Sequence, residues 1–120
     1  MLPQSHSQQY QEFQQILQQL EQFVDRPTCD RAVLKSKILE TQEFFHKQIK
    51  SLDIEALEAE MAYRSRSLQV EMDKQLRLLN MEVMFLQTAR QLATSQHRLS
   101  QIKERLRTLG EYCGVMLSTE

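Results

Sequence analysis

The chain has no tryptophan, and only two glycines, two prolines and two cysteines. Each scarcity removes a class of protein. An all-β fold needs many tight turns, and tight turns draw on glycine and proline. Cys29 and Cys113 stand alone, with no C-x-x-C pair, so the sequence offers no disulfide framework and no zinc-binding cluster. No apolar run approaches the roughly 20 residues that span a bilayer. The segment MLPQSHSQQY, residues 1–10, lacks the basic and apolar regions of a secretory signal. Lone thiols and the missing signal point to a reducing, cytoplasmic setting without membrane contact. No glycine-rich loop is present to cradle a phosphate. The net charge is −1, so no overall field draws in nucleic acid.

What is present fits one small globular domain over residues 1–120. Hydrophobic residues make up 41% and charged residues 26%, values that exclude a disordered chain. Leu, Gln, Glu, Lys, Arg and Met dominate, and these favour helix. Charge is uneven: residues 1–60 carry 6 basic and 10 acidic side chains, residues 61–120 carry 9 and 6.

Apolar spacing of 3 and 4 places four helical segments. The first runs from about Ser5 to Val24, with Tyr10, Phe13, Leu17, Leu20 and Val24 on one stripe and glutamine outside. Pro27 ends it. Thr28 or Asp30 caps the second, which extends to about Lys50 through Leu34, Ile38, Phe45 and Ile49. Asp53 starts a third, expected to run to Gln91. Its length, roughly 55 Å at 1.5 Å per residue, far exceeds its neighbours. The polar patch Arg64–Ser67 is its weakest point, the place where a kink or break would fall. Thr94 or Ser95 caps the fourth, whose seam is Leu99, Ile102, Leu106, Leu109, Cys113 and Met116; Gly110 and Gly114 weaken its end. Short connections make sequential helices antiparallel. The expected fold is all-α: an antiparallel bundle of about four helices with one long central helix.

The third helix carries more apolar surface than one stripe needs. Between Lys74 and Leu92, residues Leu76, Leu79, Val83 and Leu86 form one seam. Leu78, Met81, Phe85, Thr88 and Leu92 form a second on roughly the opposite side. One seam docks a helix on its own core. The second is either further core or a binding surface. Met81, Met84 and Phe85 are adaptable contact residues of the kind enriched at protein interfaces, and Arg77 and Arg90 flank them. Arg77, Leu78, Met81 and Phe85 are the candidate interface residues.

Nothing else resembles a chemical site. His6, His46 and His97 lie far apart. Glu43-x-x-His46 has the spacing used by di-iron bundles, but the second copy that such a site requires is missing. Cys113 falls on an apolar seam as a small core residue. Cys29 lies near a helix start without an identifiable base. Basic residues between Arg98 and Arg107 are interrupted by Glu104 and have no interleaved aromatics, which favours a solvated helix face over a nucleic-acid surface. No catalytic residue, metal or cofactor is expected.

The segment KQLRLLNMEVMFLQTARQLATSQ, residues 74–96, resembles the signature of the cyanobacterial heterocyst frequency control protein PatD family. QQYQEFQQILQQLEQF at 8–23, SLDIEAL at 51–57 and RLRTLGEYC at 105–113 support the resemblance in the same order along the chain. Leu92 departs from the family pattern, in which proline is common at that place, and leaves the third helix's end less sharply defined. The resemblance implies a cytoplasmic regulator that limits how many cells become heterocysts. It further implies binding to the cell-division GTPase FtsZ and modulation of its polymer assembly. Independently of the resemblance, a homo-oligomer is expected, because a helix longer than its bundle presents apolar surface for self-association. The alternative is a helical DNA-binding or transcription-associated regulator of heterocyst differentiation.

Overall fold

The computed structural model describes residues 2–118. Helix α1 spans Gln4–Val24, α2 Arg31–Phe44, α3 Ala59–Thr88 and α4 Leu92–Leu117, and the described residues contain no strand. Successive helices run antiparallel. Gln42 reaches the Leu76 carbonyl while Arg31, one end of α2, reaches Leu86, further along α3. Arg98 meets Glu82, and Arg105 meets Gln75. Helix α4 packs closely between α1 and α3, and α2 closes the remaining side. The result is a rod of 50 × 21 × 20 Å. The expected antiparallel bundle is the fold.

The stripes account for the core. Tyr10, Phe13, Leu17 and Leu20 of α1 are buried against Ile102, Leu106, Leu109 and Cys113 of α4 and the inner seam of α3. Burying each large side chain contributes about 1.5–3 kcal/mol before chain entropy is set against it. That burial carries α4 straight through Gly110 and Gly114 to Leu117, where the glycines alone argue for fraying. Phe13 stacks on Phe44 at 6.0 Å between ring centroids and meets Phe45 at 5.8 Å with the rings tilted. To keep Phe45 and Ile49 both buried, the end of α2 widens into a π turn over Phe45–Ile49, sealed by the Lys50 N–H on the Phe45 carbonyl at 2.9 Å.

Two features of α3 differ from the sequence expectation. The segment 54–91 is not one helix. A 3-10 turn, Ile54–Ala56, is followed by extended backbone at Leu57 and Glu58. This folds Leu52 and Leu57 onto the core at the end of the bundle, where a continuous helix would carry them past it. The helix then passes unbroken through Arg64–Ser67. Ser65 is fully buried there and meets the Tyr10 hydroxyl at 3.5 Å. Gln69 Nε2 lies 3.4 Å from the same hydroxyl and 3.3 Å from the Ile49 carbonyl. A serine that looks like a gap in the seam is thus part of a buried polar layer, which fixes the register of α1, α3 and the π turn.

Helix ends are secured from a distance. Asp30 caps α2 as expected, its carboxylate accepting from the Ala32 and Val33 N–H groups. Helix α4 starts at Leu92, ahead of the expected Thr94–Ser95 cap. Ser95 has another task. Arg31 Nη1 donates to the carbonyls of Leu86 at 2.7 Å and Ala89 at 2.8 Å, and its Nη2 donates to Ser95 Oγ at 2.7 Å. Gln87 returns a bond to the Arg31 carbonyl at 3.0 Å. The guanidinium joins the Ala89 N–H on the Leu86 carbonyl and pairs the Ala89 carbonyl, at the negative end of α3, where a glycine cap often stands.

Two outcomes are expected from these contacts. Arg31→Ala should lower unfolding stability by about 2–3 kcal/mol, the scale of charged hydrogen bonds lost at a part-buried site. Arg31→Lys should recover only a minority of it, because one ammonium cannot reproduce the planar fork; urea titration checks both. At the other end of the bundle, His6 is buried and its Nδ1 has no hydrogen-bond partner. Burial pushes its imidazole below the ordinary histidine range, and the charge and backbone of Asp53 oppose this. With the folded value below the unfolded one, the unfolded chain binds the extra proton first. Stability is therefore full above about pH 6.5 and falls as pH drops toward the folded value. Thermal unfolding at pH 7.5 and 5.5 should show the loss, and His6→Gln should reduce it.

Candidate protein-binding face

Helix α3 has two apolar faces because its seams lie on opposite sides of one cylinder. The inner one is core: Leu76, Leu79, Val83 and Leu86 are buried. The outer one is not. Met81 is 49% exposed, Met84 57% and Phe85 46%. Leu78 is half-buried at its edge, and Arg77 and Thr88 are exposed. Leu92 belongs to the first turn of α4, where it is also exposed. The candidate residues Arg77, Leu78, Met81 and Phe85 thus share a stretch of surface, away from the bundle core.

Two further members lie toward the N-terminal half of the helix. Tyr63 and Val70 are exposed on this side. The spacing Tyr63, Val70, Arg77, Met84 is seven residues throughout, a signal present in the sequence that only the period of the inner seam obscures. From Tyr63 to Met84 the face is about 31 Å long at 1.5 Å per residue. Exposed apolar side chains scattered singly need no explanation, whereas a group of them on one helix face is a candidate binding surface.

Phe85 is held in place from α4. The Arg98 guanidinium lies 4.5 Å from its ring centroid and bonds Glu82 at 3.0 Å. The cation covers one face of the ring, and the ring stays presented to solvent without collapsing onto its own helix. Arg98 is a neighbour of this face that its place in a basic run of the sequence does not reveal.

The remaining basic residues of α4 do not assemble a phosphate-binding track. Lys103 pairs with Asp25 at 2.8 Å, Arg105 bonds Gln75, and Arg107 pairs with Glu104 at 3.5 Å. Among the described residues no group of three His, Cys, Asp or Glu side chains meets in a metal-binding arrangement. Cys113 is buried, which pushes its thiol up to about 12; burial also raises Cys29. Neither is an activated nucleophile at neutral pH. No described helix is long and apolar enough to cross a membrane.

The two faces should separate cleanly on substitution. Leu79→Ala should cost about 2–5 kcal/mol, as buried leucines do. Met81→Ala, one turn-step away on the outer face, should cost under about 0.5 kcal/mol. Denaturant midpoints followed by circular dichroism make the comparison. The chain matches no protein-family model, no curated protein and no solved structure.

Proposed function

We propose that this protein is a non-enzymatic regulator that works by binding another protein through the outer face of α3. The observation that carries this reading is the group of large apolar side chains left exposed there, Met81, Met84 and Phe85, with Phe85 braced by Arg98. Methionine adapts to a partner's shape, and a braced aromatic loses little freedom on binding.

The partner we propose is FtsZ, on the ground of the resemblance to the PatD family carried by residues 74–96. In this reading the protein acts in the cytoplasm of a cyanobacterium and alters FtsZ polymer assembly, so that fewer cells become heterocysts. Self-association belongs to the same proposal. A homo-oligomer presents two or more binding faces, and filaments joined through several faces at once are held far more tightly than through one.

Sedimentation of purified FtsZ with GTP tests this. Adding the protein should change the amount of FtsZ in the pellet, and the protein should pellet with it. Phe85→Asp should abolish both effects while the helical spectrum is retained. An unchanged pellet with the natural protein would rule out FtsZ as the partner.

A further inference from the structure

We propose that the outer face of α3 is built for an acidic amphipathic helix and not for a second copy of this chain. The proposal rests on reading that face as protein-binding, and not on the partner's name. Beside the apolar group, Lys50 of the turn after α2 and Arg66 and Arg77 of α3 line an open groove of about 340 Å³ with Val70, Gln69 and Asp73. The lining holds three cations and one carboxylate. Asp73 stands 3.5 Å from Lys50 and 3.7 Å from Arg77, and Arg66 lies 3.5 Å from Glu55, itself almost wholly exposed. Charge-assisted bonds of full strength run near 2.7–2.9 Å, so these cations keep donor capacity for another carboxylate. Lys74, exposed on the next turn, makes no ion pair among the described residues.

The charge and the apolar surface lie in line along one helix. Val70 forms part of the groove, and Met81 follows about 16 Å further on. A docked helix that sets carboxylates among Lys50, Arg66 and Arg77 therefore reaches Met81, Met84 and Phe85 with side chains two or three turns away. Its chemistry follows: acidic in one stretch, apolar in the next, on the same face.

A second copy does not meet that requirement. Parallel pairing of α3 with itself sets Arg77 on Arg77. Antiparallel pairing that brings Val70 to Met81 sets Arg77 on Lys74 twice. Shifting by one heptad brings Tyr63 to Met81 but sets Lys74 on Val70 and Glu60 on Met84. Like charges placed opposite, or charge on apolar surface, oppose each pairing. In this proposal any association between copies of the chain uses a different surface and leaves this one free.

The test uses a labelled helical peptide, alanine-rich, with two glutamates one turn apart and two leucines one turn apart further along the same face. A second peptide has lysine in place of both glutamates. Fluorescence anisotropy with the full chain should show binding of the glutamate peptide only, weakening as salt rises. The double variant Arg66→Glu, Arg77→Glu should weaken it about tenfold or more, and Phe85→Asp should weaken it as well. Lys35→Glu, exposed on α2, should leave it unchanged. Equal binding of both peptides, or of neither, overturns the proposal. So does sedimentation equilibrium showing a self-association that the double variant removes, since a second copy would then be the occupant. None of these results depends on the FtsZ pellet, so the two proposals fail separately.

Discussion

Arg31 stands where the start of α2, the end of α3 and the start of α4 come together. The chain reverses direction between α3 and α4 without a glycine, and the Ala89 N–H closes the end of α3 on the Leu86 carbonyl at 3.2 Å. An unpaired buried carbonyl is costly. One guanidinium adds a second bond to the Leu86 carbonyl, pairs the Ala89 carbonyl and holds Ser95 of the next helix with the same fork. The positive charge also sits at the negative end of a helix of 30 residues. This contact sets where α3 stops and how α4 turns back along it, and so which side of α3 faces the bundle.

The far end of the bundle is closed differently. There Leu52 and Leu57 fold inward, and the Tyr10–Ser65–Gln69 layer sets the register. With both ends fixed, α3 cannot rotate to bury its second apolar face. The core already takes Leu76, Leu79, Val83 and Leu86. Met81, Met84 and Phe85 stay outside, and Arg98 keeps the phenylalanine ring from folding back. The exposed apolar face is thus a consequence of how the bundle is closed, and the charge beside it is a consequence of bringing Lys50 into one groove with Arg66 and Arg77.

Much of this architecture is visible in local pattern. The α1 stripe, the Asp30 cap and the α4 seam follow from spacing and from residue chemistry within one or two turns, and all three stand where the pattern puts them. The two seams of α3 are visible for the same reason. Ser65 and Ser95 are the instructive misses. One resembles a weak point and the other a cap, yet each has a partner about 55 or more residues away in the chain. No window along the sequence contains both members of such a pair.

What the sequence determined by itself is the helical class, the stripes that meet in the core and the surplus of apolar surface between Lys74 and Leu92. Periodicity fixes these, because a helix repeats over a few residues and burial of one face follows from the repeat. What only the tertiary structure decided is which seam is inside, where α3 begins, and that Arg31, Arg98 and Lys50 serve helices other than their own. Those outcomes depend on helix rotation and on the geometry of chain ends, and they exist only once all four helices are packed.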